Sequence, residues 1–553
     1  MVAEENAAWV RPPEPKRWLD HLGVQAPCVA LYTQLLPGIT NVTDRARYYS
    51  FHPWVIWSFE QRYAQHSLDE FRRVLRRAEC LFALIAIRHS RVTGGDDEGR
   101  HGAGMVGRLE LLRIPEDDES IRLDDYAALE GPKRYFMNKL GGLGQYYFGP
   151  LRDLRVLDRS PQGPSYPPGY DRTRGRELAE AFSKGVPDDA FWRAIEAPSL
   201  GWEDLDVLAP FCPCFLTSNT PEHELLLDLF LARSEPYQHD GGPARRASLA
   251  LMLDLAGSNS RHPDYAFESV LRGASYSGAL PDGVEWKVSP CLRRAQRGWG
   301  TYRRNELLSI AVQGLFAAVL RAIERDRQGC IPKAADAADV TMQLLAPQRI
   351  RAGSLLRDLV AQSRANLPAI QDWRNPKHEL ERGWRLHGIG LEDARLEEVA
   401  SESVHILLAL IARGLDDYPY GDFDLDPEYF EPGEVHLLSL RQRWRAEWVN
   451  MSFEGWIRWL SVHWGVARHL RVALRKLRSE QRDTFRIRPL EGELRVVAAP
   501  APTYTSPPRR EVHATASRSR LVRLRGPGHG GVDTAWKAGI GGVPWLMKSP
   551  LLR

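Results

Sequence analysis

Long apolar runs are missing from this chain of 553 residues. No stretch of about 18 consecutive apolar residues occurs, so no membrane span is expected. The first residues, MVAEENAAWVRPPEPKRW, have no apolar signal core, and export is not expected. Cysteine is scarce as well: the six present are scattered and form no disulfide framework, which points to a reducing cytoplasm. The GKS/T phosphate loop, the GxSxG elbow and the HExxH helix are all absent. ATP hydrolysis and serine hydrolysis by those routes are thereby disfavoured.

What is present is an ordinary folded composition, 43% hydrophobic and 26% charged. Net charge is only +3, but it is unevenly spread. Residues 468–525 hold 15 Lys/Arg against 5 Asp/Glu, whereas 415–435 hold 8 acids and no base. A basic end on a near-neutral chain suits a phosphate backbone. Apolar residues recur at helical spacing in 67–89, 221–233, 245–256, 303–326, 354–366, 393–414, 437–449 and 453–482. Ser67 with Glu70 suits the start of the first of these. Strand patterns are short and confined to 155–172 and 486–498. The expected fold is therefore mostly α and multi-helical, with few short strands and an embedded winged-helix-like segment. Its expected parts are an N-terminal helical domain (1–120), the winged-helix-like module (121–200), a helical domain (201–482) and a basic, partly disordered segment (483–553).

The winged-helix reading comes from 126–182. A helix ending in Leu151, Leu154, Val156 and Leu157 precedes a Pro/Gly/Tyr-rich stretch, and a second helix opens at Thr173-Arg174-Gly175-Arg176. Helix, hairpin, helix is the order of the second half of a winged helix, in which the wing touches phosphate. Arg152, Arg155, Arg172 and Arg174 would supply charge there. A second cationic element is VARHLRVALRKLRSEQR, where Arg468, Arg471, Arg475 and Lys476 oppose an apolar face of Leu470, Ala473, Leu474 and Leu477. These eight cationic residues are the candidate DNA contacts. Trp444, Trp448, Trp456, Trp459 and Trp464, at helical spacing, read as core.

Residues 36–57, LPGITNVTDRARYYSFHPWVIW, set two arginines against a dense run of aromatics. Pro37-Gly38 suits a turn with a left-handed glycine, and Thr43 or Asp44 suits a helix cap. Pro53 is expected to kink or divide the helix that follows. The physical reading is a buried hub of Asp44, Arg45 and Arg47, in which arginines satisfy loop carbonyls under aromatic cover. This stretch resembles the N-terminus of a large uncharacterised bacterial family whose members are accessory proteins encoded beside helicases, nucleases or phospholipase-D-like genes in defence islands. Thr220-Pro221-Glu222, Trp299-x-x-Tyr302 and Asp483-Thr484-Phe485-Arg486 match more loosely. The resemblance implies a role beside DNA and beside other protein subunits, and no catalytic residue.

Three residue sets carry possible chemistry. Pro263-Asp264 with Glu285-Trp286-Lys287 has the residue types of a PD-(D/E)xK nuclease, which needs Asp264, Glu285 and Lys287 on adjacent strands around a divalent metal. Cys212-Pro213-Cys214, with His223 nearby, has metal-ligand types. No second CxxC or HxxxH partner appears, so the pair reads as structural cysteines beside Phe211 and Phe215. Asp422, Asp424 and Asp426 alternate like a calcium loop, but the turn glycine and bidentate glutamate are misplaced. No metal and no cofactor are expected. The chain reads as a non-catalytic DNA-associated accessory subunit of a bacterial anti-phage or anti-mobile-element system. A protein–protein scaffold and a metal-dependent nuclease are the alternatives.

Overall fold

The structure is a computed structural model. It describes residues 20–505 except 40–44, 64–66, 95–100, 102–103, 119, 135, 160–162, 164, 234, 236–237, 239–240, 261, 390–392, 415–429, 431–434 and 481–482. Asp44, the Asp422-Asp424-Asp426 loop and the tail after 505 lie outside the described residues. The described residues are 63% helix and 5% strand, so the mostly helical architecture stands. Among the described residues, one helix, Pro290–Asp326, is long and apolar enough to cross a membrane, but 94% of its apolar window is buried.

The described residues pack as two compact units. Unit I holds those of Thr33–Leu271 and Val288–Ala295; unit II holds those of Met1–Tyr32, Arg272–Lys287 and Gln296–Glu511.

Unit I is built on two helices, α1 (Tyr48–Arg62) and α2 (Leu68–Val92). Pro53 lies inside α1, which continues through it to Arg62. The expected division does not occur, because burial of both flanks, from Tyr48 to Ile56, outweighs the loss of one helical hydrogen bond. Ser67 Oγ caps α2 by accepting the Glu70 amide at 3.2 Å. The apolar stripe of α2 is buried as its spacing predicts, and so are three charged residues, Arg76, Arg77 and Glu79. Arg77 donates to the Ile195 and Ala197 carbonyls at 2.6 and 2.8 Å. Glu79 accepts the amides of Gly142 and Leu143 at 2.8 and 2.6 Å. These side chains satisfy loop backbone that would otherwise be buried without partners.

Further along unit I come α3 (Phe148–Asp153), β1 (Leu157–Asp158), β2 (Gly169–Tyr170) and α4 (Arg174–Ser183). The two strands pair antiparallel, Leu157 opposite Tyr170. A helix–hairpin–helix order is therefore present here, with strands of two residues each. α4 packs on α1. Then follow α5 (Pro221–Leu231), capped by Thr220, and α6 (Gly242–Asn259).

Unit II contains α7 (Arg293–Asp326) from Gln296 onward, then α8 (Glu379–Ile389), α9 (Leu396–Arg413) and α10 (Ala467–Glu480). Its sheet has β3 (Cys330–Ile331), β4 (Ile487–Leu490) and β5 (Glu493–Val496), all antiparallel with β5 in the middle. Trp448 sits edge-on to Trp456, Trp459 and Trp464 at ring separations of 6.1, 5.1 and 5.4 Å. Trp448, Trp456 and Trp464 are buried in the unit, and Trp459 is half-buried beside them.

Candidate nucleic-acid interface and a four-donor cluster

The cationic residues singled out in the sequence divide sharply by environment. On α10, Arg468 is buried and donates to the Leu22 carbonyl at 2.8 Å and the Gly23 carbonyl at 3.2 Å. Lys476, half-buried, donates to the Asp20 carbonyl. Those two hold the segment 20–23 against the helix, so their assignment as DNA contacts is corrected to a structural one. The face expected to be buried is also rotated. His469, Val472 and Ala473 point inward, whereas Leu474 and Leu477 are 52% and 42% exposed. In this orientation Arg468 and Lys476 meet the 20–23 carbonyls, which are thereby given donors. Arg471, Arg475 and Arg478 remain exposed, spaced along one side of the helix.

In unit I, Arg152, Arg155 and Arg172 are exposed around the β1–β2 hairpin, and Arg174 is half-buried at the start of α4. Arg155 adopts a left-handed backbone, φ 55°, where α3 turns into β1.

The aromatic motif is interior. Arg45 and Arg47 are both buried. Arg47 forks onto Glu222 of α5, Nε to Oε1 at 3.2 Å and Nη2 to Oε2 at 3.1 Å. Its Nη1 donates to the carbonyls of Pro210 and Cys212 at 2.6 and 2.7 Å. The guanidinium lies 5.0 Å from the Phe182 ring centre. The preceding turn is held by Arg245, which donates to the carbonyls of Pro37, Phe230 and Leu229. Burial lowers the Arg245 pKa to about 10. Gly38 has φ +76°, as the turn requires.

The nuclease residues have no nuclease scaffold. Asp264 stands in an exposed turn of unit I, and α6 and the helix Phe267–Ser277 occupy the stretch where a strand is required. Glu285 makes a single isolated bridge with Ala279 in unit II, and Lys287 is exposed beyond it.

Cys212 and Cys214 gain partners that sequence spacing did not suggest. Cys212 joins the 3-10 helices Glu203–Phe211 and Pro213–Phe215 in unit I, and Cys214 lies within the second. His89 comes to them from the last turn of α2, and His101 from the segment after it. The four donor atoms all lie within 4.8 Å of one another. His101 Nδ1 is 3.1 Å from His89 Nδ1 and 3.4 Å from Cys212 Sγ, and Cys214 Sγ is 3.4 Å from His89 Nδ1. His223, the histidine nearest the pair in sequence, is not in the cluster. Two arginines fix the cysteine loop: Arg47 through its carbonyls, and Arg88, whose fork meets Asp206 at 2.7 and 2.8 Å. Burial lowers the His89 pKa and so favours the neutral ring. The hydrogen bond with Cys214, followed by burial, raises the pKa of the Cys212 thiol.

No family model, no curated protein and no solved structure matches the chain.

Proposed function

We propose that this protein is a non-catalytic DNA-associated accessory subunit that meets the phosphate backbone through α10. The observation that supports this most directly is the row of exposed arginines on that helix. Arg471, Arg475 and Arg478 are exposed along one side, and the buried or half-buried Arg468 and Lys476 anchor the helix by donating to backbone carbonyls. The exposed arginines around the β1–β2 hairpin of unit I are a second patch of the same chemistry. The defence-system setting rests on the resemblance of the LPG and TDRARY stretches, and the other subunits of such a system are the expected protein partners.

The test is fluorescence anisotropy with duplex DNA from low to moderate salt, with and without magnesium. Binding should weaken with a log–log slope of about −0.9 per neutralised phosphate. Changing Arg471, Arg475 and Arg478 to glutamate should weaken binding on every sequence, since such contacts address backbone rather than base edges. No binding at low salt refutes the reading. Magnesium-dependent cleavage lost in Glu285→Ala would replace it with the nuclease.

One observation favours a second reading. Leu474 and Leu477 are exposed on α10 beside the arginines. A mixed apolar and cationic face suits an acidic partner protein, and no DNA binding even at low salt together with a stable protein complex would favour that scaffold role without nucleic-acid binding.

A further inference from the structure

We infer that His89, His101, Cys212 and Cys214 form a structural zinc site in unit I, with both histidines binding through Nδ1.

Geometry is the first ground. Tetrahedral zinc bonds nitrogen at about 2.0–2.1 Å and sulfur at about 2.3 Å, which sets N–N and N–S edges of about 3.3 and 3.6 Å. Three of the six edges in the cluster are 3.1, 3.4 and 3.4 Å, and none exceeds 4.8 Å. Two imidazoles and two thiolates are a zinc donor set, and four protein donors leave no open position for substrate.

The second ground is hydrogen-bond accounting. A neutral imidazole nitrogen carries either one hydrogen or one lone pair. His101 Nδ1 faces both His89 Nδ1 and Cys212 Sγ, and His89 Nδ1 faces both His101 Nδ1 and Cys214 Sγ. One lone pair or one hydrogen per nitrogen does not serve two partners well. A single cation at the centre takes both lone pairs and both thiolates at once.

The third ground is the outer partner. Thr93 Oγ1 donates to the His89 carbonyl at 2.7 Å and lies 3.3 Å from His101 Nε2. With its own proton committed to that carbonyl, the hydroxyl oxygen is an acceptor toward His101. Nε2 then carries the hydrogen, and Nδ1 turns its lone pair into the cluster. A hydrogen bond of this kind orients the ring and sets the tautomer of a metal-ligating histidine.

The consequence is mechanical. The ion ties the end of α2, the segment at His101 and the Cys212–Cys214 loop together. The same loop is held from its other side by Arg47. Zinc binding is therefore linked to the folding of unit I, as for other closed sites.

The experiment measures bound metal by elemental analysis on the full chain purified under reducing conditions, then strips it with a chelator and titrates cobalt(II) as a spectroscopic probe. One zinc per chain and a cobalt spectrum with tetrahedral d–d bands and thiolate charge transfer are expected. Cys214→Ser should lose the charge-transfer intensity of one thiolate. Thr93→Val should weaken metal binding by about 10–100-fold. His223→Gln should keep metal, spectrum and affinity. Should Cys214→Ser fail to fold, the unmodified chain's cobalt spectrum and the Thr93→Val titration decide alone. A chain that stays folded yet takes up neither zinc nor cobalt overturns the inference. So does a Cys212–Cys214 disulfide in the reduced preparation, or a cobalt spectrum without thiolate character.

Discussion

Replacing Arg47 by methionine keeps the apolar stem and removes the guanidinium, and the structure fixes what is lost. The two-point fork to Glu222 and the donors to Pro210 and Cys212 all disappear, in a place where the side chains of Arg47 and Glu222 are only 2% and 6% exposed. Breaking one partner of a buried pair costs about 3–5 kcal/mol, because the remaining charge has no water to turn to. The stranded carbonyls do not simply add to this. Cys212 O still accepts from the Phe215 amide at 3.0 Å, and Glu222 still accepts from Ser50 Oγ at 2.6 Å. We therefore expect Arg47→Met to destabilise unit I by about 3–5 kcal/mol, read from urea unfolding followed by tryptophan fluorescence. Glu222→Gln in the same chain should recover part of that loss, with a coupling of about 1–3 kcal/mol in the double-mutant cycle. A cost below about 1 kcal/mol, or strictly additive single and double variants, would refute the reasoning.

Two further expectations come from unit II. A Cβ on Gly273 would stand 2.2–2.5 Å from ring atoms of Trp373, so Gly273→Ala should cost about 1–3 kcal/mol through overpacking; a neutral melting temperature would show that the ring has room to move. His469 is buried, with Nδ1 2.9 Å from the His21 carbonyl and Nε2 accepting the Arg486 amide at 2.8 Å. Burial first, then the charges of Arg486 and Lys476, lowers its pKa from 6.5 to about 4. The unfolded chain thus takes up this proton at higher pH than the folded one. The contribution of the neutral ring is complete above about pH 6.5 and is lost as pH falls toward 4, up to about 3 kcal/mol. His469→Gln should flatten that part of the pH–stability curve measured by urea titration, and an unchanged slope would remove His469 as its source.

The helices were legible because each buries an apolar stripe at its own period, and the starts at Ser67 and Thr220 carry the capping side chains seen in the structure. Both expected hairpins lie where turn residues separate short β-favouring runs. β3 was not legible. It is two residues long and pairs with β5, far away in sequence, so no local pattern marks it. The inward face of α10 was misjudged for a different reason. Apolar periodicity selected Leu474 and Leu477, but hydrogen-bond demand from a distant backbone segment selected Arg468 and Lys476. A period count registers carbon, not unpaired carbonyls. The metal donors escaped because spacing rules seek two close pairs, whereas only Cys212-x-Cys214 is close. His89 ends a helix and His101 follows a loop, and folding alone brings them to the cysteines. The one local signal was the Cys-Pro-Cys tripeptide itself.

The aromatic stretch at 36–57 and the cysteine loop, unrelated in sequence, prove to be parts of one construction. Arg47 reaches Glu222, so the TDRARY stretch is ion-paired with the TPE stretch that opens α5. The same guanidinium holds the carbonyl of Cys212, whose thiol faces His101. Tyr48, the next residue, is buried, and its hydroxyl oxygen accepts the Val106 amide at 3.1 Å, in the segment that follows His101. One helix start therefore grips both segments that α2 meets in the four-donor cluster, Arg47 the cysteine segment and Tyr48 the stretch after His101. Arg47 is buried with the Phe182 ring against its guanidinium, and the exclusion of water strengthens the fork to Glu222 and makes its loss expensive. Setting Arg47 beside this aromatic run makes sense on these terms: the backbone at 210–212, at the junction of two short 3-10 helices, is held by hydrogen bonds from a residue at the start of α1. On this argument a substitution at Arg47 acts on the cluster through the Cys212 carbonyl, and Arg47→Met should weaken cobalt binding in unit I even under conditions where the chain remains folded.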